Sequence, residues 1–113
     1  MDEERARALL AAERLRVELL LRESRSDARD DREAENESGV DIADPAERLT
    51  AEGLDDSVVA SLQSRLEAIE RAEVRLITGT YGRSVESGDP IPDARLEADP
   101  AAELTVSEAS RRA

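Results

Sequence analysis

The chain has 113 residues, which is enough for one domain or for one domain with an extension. Charged residues make up 39% of it and aromatic residues 1%, a composition that argues against a large globular core and favours long paired helices. Its net charge of −12 argues against binding DNA or RNA through phosphate contacts, and against an anionic membrane surface. The same charge suits a protein partner with a basic groove, or it serves only to keep thin helices in solution.

The residue types also argue against a membrane protein and against an enzyme. No apolar run approaches the ~18 residues of a membrane span. The N-terminal sequence MDEERARALL lacks the apolar region of a signal peptide, so the cytoplasm is the expected location. The chain has no cysteine, no histidine and no lysine, and the usual pairs of nucleophile and base are therefore absent.

Residues 2–34 are predicted to form helix one. The first turn is acidic at residues 2–4, where negative charge suits the helix dipole. Apolar side chains then recur at intervals of three, four and seven residues, which is typical of a coiled-coil stripe. The stripe fades after Leu21, so the second half of the helix depends on helix propensity alone. Its members are Leu10, Val17 and Leu20 or Leu21.

Residues 38–53 interrupt this pattern and are predicted to form the tip of a hairpin, with Gly53 interrupting or restarting the helix. The Asp44-Pro45 step stops helix one, because the residue before a proline avoids the α region. Helix two follows at residues 55–77 with a second apolar stripe. Two such helices joined by a short connection fold back antiparallel, which places the N-terminus beside the residues that follow helix two. The second stripe consists of Val58, Leu62, Leu66, Ile69, Ala72 and Leu76.

Residues 79–113 form the second predicted region, which we call the knuckle. Its segment 79–100, GTYGRSVESGDPIPDARLEADP, holds three of the four prolines and three of the five glycines, which indicates compact turns rather than a linker. Tyr81 is expected to anchor the knuckle on the helix ends, and a ring that stacks on a ligand is the alternative. Residues 101–112 are predicted to form a short helical tail ending in two disordered, solvated arginines. The side chains expected to pack around Tyr81 are Val85, Ile91, Leu96, Leu104 and Val106.

The segment resembles the zinc-binding segment of the DksA/TraR family of bacterial transcription regulators, roughly G-T-Y-G-x-C-x-x-C-G-x-P-I-x-x-x-R-L-E-A-x-P-A-x-x-C-x-x-C. Where the family has four zinc-ligating cysteines, this chain has Ser84, Ser87, Thr105 and Glu108. Neutral hydroxyls do not replace thiolates as zinc ligands, so we expect a knuckle of zinc-finger type without a metal or other cofactor, held by apolar packing. The matching residues are Gly79, Thr80, Tyr81, Gly82, Gly88, Pro90, Ile91, Arg95, Leu96, Glu97, Ala98, Pro100 and Ala101.

The predicted tip carries a second point of resemblance. Its run DIADPA, residues 41–46, fits the pattern D-x-x-D-x-A of DksA-like coiled-coil tips, although the proline is a departure from that family. Family members insert this tip into the secondary channel of RNA polymerase, so the resemblance implies that Asp41, Asp44 and Ala46 contact the polymerase. The alternative is that Asp44 caps a helix and Asp41 is a solvated turn residue.

The sequence therefore predicts a mainly α protein, with a long antiparallel two-helix coiled coil at residues 1–78 and the small knuckle at 79–113. The resemblance implies a monomeric, RNA polymerase-binding transcription regulator that acts through the secondary channel and does not bind DNA directly. Arg95 and Glu97 are expected to pair locally rather than to contact polymerase. A structural coiled-coil module for protein–protein interaction, without polymerase activity, is the alternative, and a homodimer formed through helix one is a third.

Overall fold

The computed structural model describes the backbone of residues 1–38 and 45–112 and the side chains of residues 1–24 and 56–112. Within these residues the regular elements are helical, apart from one isolated bridge, which confirms the mainly α fold class. The chain forms two compact units, Met1–Arg16 with Leu66–Ala113, and Val17–Arg65. The division into residues 1–78 and 79–113 stays a prediction. The helices are α1 (Glu3–Ser38), α2 (Pro45–Thr78), α3 (Asp93–Ala98) and α4 (Val106–Arg112).

Both long helices extend beyond their predicted ends. α1 continues to Ser38 rather than stopping at residue 34, and α2 begins at Pro45 rather than at residue 55. Proline suits a first helical position because its φ angle is already helical and its missing N–H has no partner there. Gly53 lies inside α2 and does not interrupt it, since a glycine costs a helix only about 1 kcal/mol. Between the two helices, residues 39–44 lie outside the described residues.

The first compact unit pairs the start of α1 with the end of α2. Arg14 Nη1 donates to Glu73 Oε1 at 2.6 Å, and Arg14 Nη2 lies 3.7 Å from Glu70 Oε1. Leu10, earlier in α1, lines a groove with Leu76, which comes later in α2. Contacts that run in opposite directions along two helices define an antiparallel pair, as predicted. The apolar side chains buried in this part of the unit are Ala6, Leu10, Ile69 and Ala72.

The stripe of α1 agrees with the prediction, and the stripe of α2 differs from it at its start. Further along α1, the side chains of Val17 and Leu21 are buried, so Leu21 rather than Leu20 continues the stripe. In α2, Val58 is 52% exposed, and the stripe therefore begins later, at the partly buried Leu62. Both stripes are narrow, and no helix in the described parts of the chain is long and apolar enough to cross a membrane.

At the end of α2 a glycine lets the chain change direction and enter the knuckle. Gly79 has a φ angle of 82°, in the left-handed region that glycine enters without strain. The N–H groups of Thr80 and Tyr81 both donate to the carbonyl oxygen of Arg75, at 2.9 and 3.1 Å. The bond from Thr80 is that of a Schellman motif, which satisfies a carbonyl left without a partner at the helix end. The direction in which the knuckle leaves the helix is therefore fixed by the backbone.

A small apolar cluster forms the centre of the knuckle. It consists of Ile91, Leu96 and Ala102, with Met1 and Tyr81 packed against it. The Tyr81 hydroxyl donates to the carbonyl oxygen of Pro100 at 2.7 Å, and burial raises the pKa of this phenol. These contacts confirm that Tyr81 is a packing anchor. They also confirm that the N-terminus lies beside the knuckle, because Met1 belongs to the first unit and contacts this cluster.

Three of the side chains predicted for this cluster are not part of it: the partly buried Leu104 and the exposed Val85 and Val106. Val85 and Val106 are 53% and 58% exposed, so their predicted packing around Tyr81 is wrong. Val106 precedes the buried Glu108 by two residues, and two residues along a helix turn the side chain by about 200°. Val85 follows the buried Ser84 in a turn. In both places a polar neighbour occupies the inward position that the sequence prediction gave to valine.

The knuckle contains two short helices. The sequence does not predict α3, because six residues are too few to display a helical period. α4 occupies only the second half of the predicted tail at 101–112. Arg111 and Arg112 lie within this helix, and Arg112 Nη2 is 3.0 Å from Glu86 Oε2, so the prediction of a disordered terminus is wrong.

The apolar cluster yields a stability prediction. Leu96→Ala should lower the free energy of unfolding by about 2–5 kcal/mol, because the Leu96 side chain is 1% exposed and its removal leaves a cavity. Val85→Ala, at an exposed position of the same knuckle, should change it by no more than about 0.5 kcal/mol. Urea unfolding followed by circular dichroism measures both. Equal losses in the two variants would contradict this assignment of the core.

Candidate functional site

The four positions that carry cysteine in the resembled family come together in the knuckle. Ser84 and Ser87 lie in the turn after α2, and Thr105 and Glu108 lie at the start of α4. The Glu108 carboxylate accepts a hydrogen bond from the backbone N–H of Thr105, and the side chains of Ser84, Ser87 and Thr105 help to lower its pKa. One of the four positions is thus a buried carboxylate, and the other three carry hydroxyl groups.

Thr105 and Glu108 form a capping box at the start of α4. The N–H of Thr105 donates to Glu108 Oε1 at 2.9 Å, and the N–H of Glu108 donates to Thr105 Oγ1 at 3.3 Å. This reciprocal arrangement satisfies two N–H groups that a helix start leaves without partners. The T-x-x-E spacing at residues 105–108 is a known sequence signature of such a cap, and the sequence prediction missed it.

The Ser84 side chain organises the turn on the other side of the carboxylate. Its Oγ accepts hydrogen bonds from the N–H groups of Glu86 and Ser87, at 3.1 and 3.2 Å. Its backbone carbonyl accepts from the N–H of Gly88 at 2.9 Å, which closes the turn. The next residue, Val85, donates its N–H to the carbonyl of Glu103 at 2.9 Å. The turn is therefore held against the segment that leads into α4.

Burial makes this hydrogen bonding necessary. Glu108 is 4% exposed and Ser84 is 5% exposed, and a carboxylate removed from water is stable only where donors replace its hydration. The N–H of Thr105 and the hydroxyl of Ser84 lower the pKa of Glu108 to about 2, against the opposing effect of burial. The side chain is therefore ionised at neutral pH, and an anion lies at the centre of the site.

The residues at this site do not fit a zinc ion. A structural zinc site needs about four thiolate or imidazole ligands, and the sequence contains neither cysteine nor histidine. The carboxylate oxygens of Glu108 already accept hydrogen bonds from neighbouring donors. Within the described residues there is also no cluster of three or more potential ligands of the histidine, cysteine, aspartate or glutamate type. The oxygen atoms at these four positions accept hydrogen bonds from backbone N–H groups.

Ion pairs attach the knuckle to both long helices within the first unit. Arg5 of α1 makes a two-point contact with Glu97, with Nε and Nη2 at 3.0 and 2.7 Å from the carboxylate oxygens. Arg71 of α2 contacts Glu103, with 2.7 Å between Nη2 and Oε1. No short-range pattern in the sequence predicts these pairs, because the partners are 92 and 32 residues apart.

Arg95 pairs locally, as predicted, whereas the partner of Glu97 is 92 residues away along the chain. Glu97 binds Arg5 as described, and Arg95 Nε donates to the carbonyl oxygen of Leu104 at 2.8 Å. The Arg95 bond joins α3 to the residue just before the Thr105 cap. The arginine therefore supports the segment that carries half of the carboxylate site.

The side chains of the predicted tip residues lie outside the part of the chain that the structure describes. Asp41 and Asp44 lie outside the described residues, and so does the side chain of Ala46. The backbone of Ala46 belongs to α2, directly after its first residue, Pro45. Their role at a polymerase stays a prediction.

Comparisons with known proteins point to one group of relatives. Two proteins named "RNA polymerase-binding transcription factor DksA", from two strains of Caulobacter vibrioides, are each 35% identical to this chain over 94 residues. The matched region covers 83% of this chain and 66% of each relative. The structure of transcription factor DksA2 from Pseudomonas aeruginosa is similar, with a TM-score of 0.80 and 27% identity, over 97% of this chain and 81% of that one. No family model matches the chain.

The carboxylate site should make stability depend on pH in a definite direction. The pKa of Glu108 is about 2 in the folded protein and near 4.5 in an unfolded chain. A lowered folded-state pKa contributes stability that is fully present above about pH 4.5 and is lost as the pH falls towards 2. Glu108→Gln removes the contribution, so the difference in unfolding free energy between wild type and variant should shrink across this interval.

Urea unfolding of both proteins at pH 7, 4.5, 3 and 2 measures that difference. Asp89→Asn changes an exposed carboxylate of the same knuckle and is the matched control, with a smaller effect at pH 7. A wild-type-to-Glu108→Gln difference that stays constant from pH 7 to 2 would show that the carboxylate is not held by these donors.

Metal removal should leave the fold intact. Because no set of residues in the knuckle fits zinc, dialysis against EDTA should leave the thermal midpoint and the helical circular dichroism signal unchanged. Metal analysis of the protein before and after dialysis is the control. Loss of structure on chelation, reversed by added zinc, would contradict the account of the site given above.

Proposed function

We propose that this chain, which belongs to the DksA/TraR-type family of transcription regulators, binds RNA polymerase and modulates transcription rather than acting as an enzyme. The observation that carries the proposal is the 35% identity to the two DksA proteins, whose names state that they bind RNA polymerase. The chain spans 66% of the length of those relatives, so what it does with the polymerase has to be tested on this chain itself.

The charge of the chain supports a protein partner. A net charge of −12 opposes direct contact with the nucleic acid backbone, and it steers encounter towards a basic surface. The chain is proposed to act through the polymerase and without binding DNA directly. In the described residues, much of the arginine content is used in ion pairs within the first unit, such as Arg5 with Glu97 and Arg71 with Glu103.

The secondary channel is the proposed point of entry. The interval between the end of α1 and the start of α2 spans residues 39–44 and contains both aspartates of the motif, Asp41 and Asp44. A connection between two long helices presents little bulk, and carboxylates there would meet basic side chains or a bound Mg²⁺ ion, which prefers oxygen ligands. Asp41, Asp44 and Ala46 are therefore proposed to act near the polymerase active centre.

The knuckle supports this proposal as the part that holds the start of α1 and the end of α2 within the first unit. Its ion pairs reach both helices, through Arg5 in α1 and Arg71 in α2, and the Schellman turn at Gly79 fixes its connection to α2. A regulator that inserts a helical hairpin needs a base that fixes the hairpin. We assign that positioning role to the knuckle.

Transcription assays on a tip variant test the proposal. Asp44→Asn should still co-purify with RNA polymerase, because the substitution keeps the size of the side chain and leaves the rest of the docking surface unchanged. The same variant should lose its effect on transcription initiation in vitro, because the carboxylate acts after docking. Glu23→Gln, which neutralises an exposed carboxylate of α1, is the control and should keep both.

Co-purification of the full chain with polymerase, followed by run-off transcription, measures the two properties. Absence of polymerase binding by the wild type would overturn the proposal and favour a coiled-coil interaction module without polymerase activity. If Asp44→Asn binds polymerase and keeps its effect on transcription, only the proposed role of the tip is overturned, and the proposal of polymerase binding stands. Light scattering checks the expected monomer against a homodimer.

A further inference from the structure

We propose that Glu103 is a positioning residue of this regulator, which holds the last turns of α2 with its side chain and the turn at residues 84–88, here called the serine turn, with its backbone. This role rests on the proposed function, because fixing α2 matters to a regulator that acts through its helices. Glu103 belongs to the segment 99–105 that joins α3 to α4, and its side chain is 27% exposed.

The Glu103 carboxylate lies beside two arginines of α2. Arg71 Nη2 donates to Glu103 Oε1 at 2.7 Å, and Arg71 Nε lies 3.3 and 3.4 Å from the two carboxylate oxygens. The Nη1 atom of Arg75 is 3.8 Å from Glu103 Oε2. Arg71 and Arg75 are four residues apart, so they lie on one face of α2 and one turn from each other. A carboxylate held by two such cations is fixed along the helix axis more strictly than one in a single ion pair.

The backbone of Glu103 and of the two residues after it contacts the rest of the knuckle. The carbonyl oxygen of Glu103 accepts from the N–H of Val85, in the serine turn, at 2.9 Å. The next carbonyl oxygen, that of Leu104, accepts from Arg95 Nε of α3 at 2.8 Å. Thr105 then begins the cap of α4. Three consecutive residues thus contact α2, the serine turn, α3 and α4.

This contact gives the knuckle a second attachment to the end of α2. The first is the main chain itself, which leaves the helix at Gly79, where the N–H groups of Thr80 and Tyr81 donate to the carbonyl oxygen of Arg75. A single connection allows rotation about it, whereas a second contact from another segment opposes that rotation. Because exposed ion pairs add little to total stability, the effect of the Glu103 contact is on orientation.

Amide hydrogen exchange on the full chain tests the link from α2 to the serine turn. Glu103→Gln and Arg71→Gln should each speed exchange at the Val85 N–H by about threefold or more, because a segment released from α2 holds its own carbonyl less firmly. The N–H of Ala109, which donates to the carbonyl oxygen of Thr105 at 3.0 Å, is the internal reference and should be unchanged. Arg71→Lys keeps a cation at this position and should retain most of the protection at Val85.

A matched control separates this link from a general loss of charge pairs. Arg16→Gln removes an exposed ion pair with Glu13 that lies within α1, and it should leave exchange at Val85 unchanged. Equal acceleration at Val85 and Ala109 in Glu103→Gln would indicate a general loss of stability and would overturn the proposal. Unchanged exchange at Val85 in both Glu103→Gln and Arg71→Gln would overturn it as well.

Transcription assays at saturating concentrations of the chain test the positioning role itself. Glu103→Gln and Arg71→Gln should still co-purify with RNA polymerase, but each should reduce the effect on transcription initiation by about threefold or more, as expected for a residue that couples two parts of a molecule. Arg71→Lys and Arg16→Gln should keep most of the effect. A variant that merely lost stability would not separate binding from effect in this way.

The failures of the two proposals can be told apart. Loss of polymerase binding in Glu103→Gln would indicate a direct contact with the polymerase, and an unchanged transcription effect would indicate no influence on function; each result would overturn the positioning role. If the wild type does not bind polymerase, the proposed function fails and the positioning role fails with it. The exchange experiment then still decides whether Glu103 links α2 to the serine turn.

Discussion

A carboxylate removed from water needs hydrogen bonds to replace its hydration, and the buried carboxylate of this knuckle is that of Glu108. The side chain is 4% exposed, and its Oε1 accepts a hydrogen bond from the N–H of Thr105. The reciprocal bond from the Glu108 N–H to Thr105 Oγ1 fixes the start of α4. The buried Ser84 fixes the turn at residues 84–88 through hydrogen bonds of its own, from the N–H groups of Glu86 and Ser87.

The apolar core around this site is small, and the surrounding ion pairs supplement it. Ile91, Leu96 and Ala102 are its buried members, with Tyr81 as the sole aromatic residue of the chain. Exposed ion pairs contribute at most about 1 kcal/mol each, so their main effect is on orientation rather than on total stability. They join the knuckle to both α1 and α2, which explains how a chain with 39% charged residues still specifies one arrangement of its first unit.

Features with a long repeat could be predicted from the sequence, whereas features that depend on one or two side chains could not. The stripe through Leu10 and Val17 has a helical period that is visible over several turns, and both residues are buried. α3 has no such period, because it contains six residues. At the site, the resemblance predicts the four positions, but it predicts Glu108 only as a position that has lost a zinc ligand. The sequence does not predict its burial, because a seven-residue helix is too short to show which of its faces lies inward.

The knuckle is closed by oxygen and nitrogen atoms, and this determines its chemical sensitivity. Thiolates can be oxidised in steps to sulfenic, sulfinic and sulfonic acids, and each step destroys a metal ligand. Hydroxyls and a carboxylate have no comparable chemistry, and the chain contains no cysteine at all. Peroxide, disulfide reagents and competing soft metals therefore find no target at Ser84, Ser87, Thr105 or Glu108. Strong acid, by contrast, protonates the one carboxylate of the site.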